Sequence, residues 1–304
     1  MRTVSLLITA ARQIARNVAN QDGTYSIPDS EIIQYLNDAQ DTMQNKLCSA
    51  KNIAKIFVTQ TIIPLVANQA EYSIPDRVLL NKQIENVEFS STGQTSDFVR
   101  LEKVNFFQRD TYPTTYPSGY YKVGNQISLQ PTPSTAVGSI RVMYERAVDD
   151  LVAAFDTVSG TPSGSTINVV SSTAYTIGSY ISIVNSTTGV VLARNILISN
   201  WTTGVITTSA AVSTYLVGTA QLSDLASQTV VLGYFTTCIS QLPDACETYL
   251  VNSAAADIFG KDSSNDYTRQ RNKADEILDE IIAAYKAQTS EVQFTPQLQR
   301  YEFW

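Results

Sequence analysis

Carboxylates, tyrosines and three cysteines are the side chains here whose grouping could do chemistry, and no histidine accompanies them. That absence removes Ser-His-Asp and Cys-His dyads, histidine metal ligands and histidine pH switches together. Cys48, Cys238 and Cys246 form no C-x-x-C pair. They read as buried thiols of a protein matured in a reducing cytoplasm, with a Cys238–Cys246 bridge as the alternative. Acidic residues gather at Asp149-Asp150, at Asp262 and Asp266, and at Asp275, Glu276, Asp279 and Glu280. Asp275 with Asp279, and Glu276 with Glu280, stand at i, i+4 on a helix, where paired carboxylates can bind a cation or share a proton. No EF-hand pattern supports this, and Asp262–Asp266 lacks the glycine and distal glutamate of a calcium loop. Solvated acidic surface and an ordinary helix–helix turn are the expected readings. A face of carboxylates would also repel polyanions such as nucleic acid. Tyr112, Tyr116, Tyr120 and Tyr121, interleaved with Pro113, Pro117 and Gly119, fit a packed loop or a subunit contact better than a stacking platform. No catalytic residue, cofactor or metal is expected.

The chain has 304 residues, 43% hydrophobic and only 16% charged, with a formal net charge of −7. Soluble domains usually carry about 25% charged residues; here Thr, Ser, Asn, Gln and Tyr take their place. Such a composition suits β-rich surfaces and large wet interfaces. The acidic balance argues against sequence-independent nucleic-acid binding, which depends on Lys and Arg. No apolar run approaches the ~20 residues of a membrane span. The start, Met1 to Ile8, imitates a signal peptide briefly, but Arg12 and Arg16 interrupt it and mature helix is the reading.

The elements that must hold these groups differ along the chain. Thr3–Ala19 reads as a first helix, with Leu7, Ala10, Ala11, Ile14 and Val18 on one side. A second, capped by Asp29 or Ser30, carries Ile32, Ile33, Leu36, Ala39, Met43 and Leu47, and the two make a hairpin with an apolar seam. At the far end Leu242-Pro243 opens a third helix that Gly260 should stop. A fourth places Ala274, Ile277, Leu278, Ile281, Ile282 and Tyr285 along one face. Ile277, Leu278, Ile281 and Ile282 are therefore expected to meet Ile33 and Leu36 in a bundle core closed by both chain ends.

Between the ends the period changes to two. Lys55–Ile62 and Ile140–Glu145 are strand-like, Glu102–Arg109 reads as a short helix, and Tyr120–Leu129 is a hairpin turning at Gly124-Asn125. From Thr157 to Gly233 the only charged residues are Arg194 and Asp224, and short β-runs alternate with Gly-, Ser- and Thr-rich turns. The fold class is α+β. Residues 1–52 and 240–290 form the helical bundle, 53–156 a β-rich region, 157–233 an inserted small β-barrel or sandwich module, and 291–304 an extended tail. That tail holds Phe294, Pro296, Leu298, Tyr301, Phe303 and Trp304, apolar side chains that are costly to expose and are expected to pack on a partner.

Several short motifs follow one another in a set order. First come the N-terminal hairpin ending in Ile32-Ile33-Gln34-Tyr35-Leu36-Asn37-Asp38-Ala39-Gln40, and the paired Ile27-Pro28-Asp29 and Ile74-Pro75-Asp76. Then come Ser128-Leu129-Gln130-Pro131-Thr132-Pro133, the strand Ile140–Tyr144, and the helix from Leu242-Pro243 through Ala254-Ala255-Ala256. Their order resembles the phage head-to-tail adaptor (connector) family, the podovirus neck proteins that include tail tubular protein A. The resemblance implies a structural virion protein of the neck, made in the host cytoplasm and forming a ring, ordinarily a dodecamer. It implies a portal protein and a downstream nozzle or tube protein as partners, genomic DNA as passing cargo, and no membrane. The bundle would be the ring wall, the tail residues Phe294 to Trp304 would dock on the portal, and the β-part would face the next tail component. The Thr157–Gly233 module departs from the compact members. It supports the alternative of a glycan-binding tail or receptor-binding protein, using Tyr175, Tyr180, Trp201 and Tyr215 as exposed aromatics. A hydrolase would need a second carboxylate beside Asp224.

Overall fold

The computed structural model describes residues 2–16, 25–50, 57–79, 84–94, 97–105, 107, 116–171, 174–261 and 266–290. The chain divides into two compact units, Met1–Ala54 with Val148–Trp304, and Lys55–Ala147.

The Lys55–Ala147 unit is built from strands β1 (Val58–Pro64), β2 (Glu71–Ser73), β3 (Ile84–Ser90), β4 (Val99–Arg100), β5 (Glu102–Lys103), β6 (Gly119–Val123), β7 (Gln126–Gln130) and β8 (Ser139–Glu145). They form two four-stranded sheets, ordered β1-β8-β3-β4 and β2-β7-β6-β5. Alternating residues of both sheets (Val87, Ile140 and Val142 from one, Tyr72, Ile127 and Leu129 from the other) fill one core. The expected hairpin is present, with Val123 paired to Gln126 and Gly124 at φ 55°, the left-handed region that glycine adopts without penalty. Over Glu102–Asn105 the expected helix is not: Glu102–Lys103 pairs parallel with Gly119–Tyr120. Its backbone bonds go to the sheet instead, Glu102 N to Ser118 O at 3.0 Å and Val104 N to Tyr120 O at 2.8 Å. A cross-strand ion pair joins Glu88 to Arg141, and the Arg141 guanidinium lies 4.4 Å from the centre of the Phe98 ring.

The other unit holds helices α1 (Val4–Ala15), α2 (Asp29–Ser49), α3 (Glu247–Lys261) and α4 (Asp266–Ser290), with strands β9 (Asp150–Leu151), β10 (Asp156–Thr157), β11 (Thr166–Asn168), β12 (Tyr180–Val184), β13 (Val191–Thr202), β14 (Val205–Thr208), β15 (Thr229–Leu232) and β16 (Thr236–Thr237). The fold is thus mixed α+β. A six-stranded sheet, ordered β10-β15-β12-β13-β14-β11, curls strongly. Its outer strands meet through Ser159 N to Asn168 O at 2.7 Å and Val170 N to Thr157 O at 2.9 Å. β13 serves both halves of the curl, pairing first with β12 and then with β14. It turns the corner at Asn195, φ 55°, where the β12–β13 register slips. Ile167, Ile181, Ile183, Ile196, Ile198, Ile206 and Val230 fill the interior.

The helices depart from expectation in three ways. α1 and α2 do not chiefly pack on each other; both pack on α3, and so does α4. The reason is composition: Leu250 to Ala256 in α3 are all buried, and small Ala254-Ala255-Ala256 and Ser253 allow close approach from several sides. α3 begins at Glu247, after a 3-10 turn over Asp244–Cys246 that Pro243 precedes, and it ends at Lys261, one residue past Gly260, where the Tyr267 ring comes within 3.0 Å of the place a Cβ would take. Neither Asp29 nor Ser30 caps α2. Pro28 holds the cap position without a side-chain bond, and Asp29 is drawn instead to Arg12, whose guanidinium reaches Asp29 Oδ1 at 2.5 Å and Ile27 O at 2.9 Å.

Candidate assembly interface

The apolar face of α2 carries amides at spacing i, i+3 and i+7: Asn37, Gln40 and Gln44. They do for the segment Val148–Leu151 what a neighbouring strand would do. Gln44 Oε1 accepts from Val148 N at 3.1 Å, Gln40 Nε2 donates to Asp149 O at 3.0 Å, and Asn37 both accepts from Leu151 N (2.7 Å) and donates to Leu151 O (3.1 Å). On its other side the segment pairs parallel with β16. Buried backbone groups are thereby satisfied. The Asp149 side chain is fully buried, accepting from Arg194 at 2.7 Å and from Gln241 Nε2 at 2.9 Å. Its expected place on a solvated acidic surface is overturned: the cation that lets it be buried is Arg194 of β13. Asp150 is exposed as expected. Sequence reasoning missed the amide ladder, whose signal was two buried glutamines, Gln40 and Gln44, beside Ala39 and Met43.

A second buried carboxylate closes the curled sheet. Asp156 accepts from Thr157 N at 2.7 Å, Ser171 N at 3.0 Å and the Tyr175 hydroxyl at 3.0 Å. Burial first, and then the Asp156 charge, push the Tyr175 hydroxyl far above its usual range. Tyr175 is itself core, its ring edge-on to Phe155 at 5.0 Å and tilted on Trp201 at 4.9 Å. Of the four aromatics offered for a glycan, Tyr175 is therefore buried and Trp201 and Tyr215 are half-buried against the same core. Tyr180 is exposed, edge-on to Tyr234. Asp224 caps a 3-10 turn by accepting from Gln221 N at 2.8 Å. Burial raises the thiol pKa values of Cys238 and Cys246, the latter to about 12, and all three cysteines are free.

Leu36, Leu278 and Ile281 are buried, and Ile33, Ile277 and Ile282 half-buried. Asp275, Glu276, Asp279 and Glu280 lie on the exposed side of α4. Lys261 binds Glu31, and this contact, with the Tyr35 hydroxyl, holds the Glu31 carboxyl below its usual range. Between the first turn of α1 and residues Ala153, Ala154, Cys238 and Ile239 runs a groove of about 600 Å³, lined largely by small neutral side chains with Arg12 and Asp29 at its edge. The tail residues Phe294, Pro296, Leu298, Tyr301, Phe303 and Trp304, the turn Asp262–Asn265 and Tyr112 lie outside the described residues. Among the described residues no helix is long and apolar enough to cross a membrane, and no group of three or more His, Cys, Asp or Glu could hold a metal ion.

No curated protein matches the chain. A family model does, that of the SU10 adaptor protein, over residues 2–168. The matched stretch takes in α1, α2, the amide ladder with its clamped segment, all of the Lys55–Ala147 unit and the first two strands of the curled sheet. More than half of the sequence, including the helical start and the β-rich unit that carried the resemblance, is thus accounted for, and the chain belongs to the SU10 adaptor family, phage proteins that join head to tail.

Proposed function

We propose that this chain is the subunit of a dodecameric ring set between the portal protein and the downstream nozzle or tube protein, with a lumen that continues the channel for genomic DNA. The observation that carries the reading is the adaptor-family match over residues 2–168. Residues 1–52 and 240–290 serve as a helical bundle and ring wall, in which α3 is the common support. Residues 53–156 form a β-rich part of the subunit. The β-part faces the next tail component, and the 157–233 module, nearly free of charge, is set into the subunit as an insertion. The tail of residues 291–304 docks on the portal through Phe294, Pro296, Leu298, Tyr301, Phe303 and Trp304. The protein works by docking and carries out no reaction. The exposed carboxylates of α4 suit a surface that must not hold DNA.

Electron microscopy of the full chain mixed with portal rings of the same virus tests this. A new annular layer on the portal is expected, and deleting Gln293–Trp304 should leave a folded subunit that no longer attaches. Subunits that ignore the portal would defeat the adaptor reading, and normal attachment by the truncated chain would defeat the role given to the tail.

A further inference from the structure

Strand β1 lies at the edge of its sheet, with β8 its only strand neighbour among the described residues. Its seven residues, Val58-Thr59-Gln60-Thr61-Ile62-Ile63-Pro64, include no charge. Natural edge strands are usually guarded by charges, bulges or brevity, because their unpaired backbone groups template further pairing. The direction of those groups follows from the register. Arg146 N bonds Phe57 O at 2.9 Å and Leu65 N bonds Gly138 O at 3.1 Å. With the pairing of Val58 to Glu145 through Pro64 to Ser139, odd-numbered residues therefore turn their backbones to β8. Val58, Gln60, Ile62 and Pro64 turn theirs outward. Pro64, which has no N–H, sits where no bond to β8 is lost. Side chains follow the same parity. Gln60, Ile62 and Pro64 are exposed, Ile62 at 45%. On the opposite side Ile63 packs against the core and the Thr61 hydroxyl lies 3.2 Å from that of core residue Tyr144.

One stretch of this chain matches that edge. Residues 292–299 read Val292-Gln293-Phe294-Thr295-Pro296-Gln297-Leu298-Gln299, a strict alternation of apolar and polar side chains without a charge. We propose that in the ring this stretch of one copy adds as an antiparallel strand to the β1 edge of the next copy. The inference rests on the ring reading above and names the contact that would close it.

Parity selects one arrangement. Hydrogen-bonded partners in an antiparallel pair put their side chains on the same face. If Gln293, Thr295 and Gln297 bond the outward groups of β1, their polar side chains join Gln60 and Ile62 on the exposed face. Val292, Phe294 and Leu298 then fall on the core-facing side beside Ile63. Pro296 directs its missing N–H away from β1, where nothing is lost. A slip of one residue would put Pro296 against β1 and the apolar side chains in water. Residues 291–299, extended, reach roughly 30 Å beyond α4. A contact between unlike surfaces, strand edge on one copy and tail on the next, is the kind that closes a ring. This pairing takes Phe294, Pro296 and Leu298 out of the portal contact proposed above and leaves that contact to Tyr301, Phe303 and Trp304, beyond the alternating run.

Amide hydrogen exchange on the full chain, free and assembled on portal rings, tests the proposal. Gln60 and Ile62 amides should slow at least tenfold on assembly, and Gln293→Pro, which removes a β1-facing donor, should restore fast exchange. Ile62→Pro leaves the bonds to β8 intact and should lower ring yield at least tenfold, whereas deletion of residues 300–304 should leave subunit–subunit contacts formed. A disulfide between Gln60→Cys and Thr295→Cys should link copies into multimers. Rings that form while Gln60 and Ile62 exchange as fast as in the free chain would overturn the strand pairing and leave the adaptor reading standing. A disulfide closing within one chain would overturn exchange between copies. Absence of any ring would remove both.

Discussion

Tyr175 and Asp156 show how the interior of the six-stranded sheet tolerates a buried charge. The carboxylate is held by two backbone N–H groups and one phenol, so its desolvation is offset by bonds to the ionised form. Tyr175→Phe removes one donor from a buried acceptor and should cost about 1–3 kcal/mol in urea unfolding. The tyrosine also carries a pH consequence. Its folded pKa lies above its ordinary 10.0, so the folded state favours the protonated phenol. Its contribution is complete below pH 10 and is lost as pH rises through and beyond that value. Tyr175→Phe should therefore flatten the alkaline decline in stability; an unchanged slope between pH 9 and 11 would show that other groups govern it. Glu31 runs the opposite way. Its pKa is depressed by Lys261 and Tyr35, so that contact is present above the ordinary carboxylate range and lost on acidification.

At the scale of elements, α2 acts both as a packing surface and as a substitute strand. Gln44→Leu keeps bulk but leaves Val148 N–H without its acceptor, and Asn37→Ala removes both bonds to Leu151. Each should lower stability by about 1–3 kcal/mol. The loss should appear in unit Met1–Ala54 with Val148–Trp304 as faster amide exchange at Val148 and Leu151. Unchanged exchange there would mean the amides are spectators. α4 offers a graded test of burial. Ile281 is buried and Ile282 half-buried. Ile281→Asp should cost several kcal/mol by placing a carboxylate in an apolar setting, and Ile282→Asp distinctly less. Equal thermal shifts would contradict the observed face of the helix.

For the whole molecule, charge bears on the DNA channel proposed above. With a net charge of −7 and exposed Asp275, Glu276, Asp279 and Glu280 on α4, the protein should not retard duplex DNA in a gel at 0.15 M salt, since binding there rests on cations displacing counterions. Retention that weakens steeply with salt would reveal a basic surface and count against a channel through which DNA slides. The division into two compact units also means that heat unfolding is not bound to be one transition.

Much of this architecture is written in periodicity. The i, i+3, i+4 spacing of Ala274, Ile277, Leu278, Ile281 and Ile282 specifies α4, and the alternation around Gly124-Asn125 specifies the β6–β7 hairpin. The neutral, turn-rich run after Asp156 specifies short strands, and these form the six-stranded sheet. The family is also legible, because motif order survives where single motifs are degenerate. Other features depend on groups far apart in sequence, and local pattern carries no trace of them. Whether Asp149 is solvated or buried was set by Arg194, 45 residues away. Whether Glu102 is helical or extended was set by Ser118 and Tyr120. Which helix lies at the centre was set by the small residues of α3 meeting α1, α2 and α4 together. Sequence determined the elements and their faces, since those follow from neighbours three or four positions away. Tertiary structure alone decided which polar groups could be buried, since that depends on a partner brought in from another part of the chain.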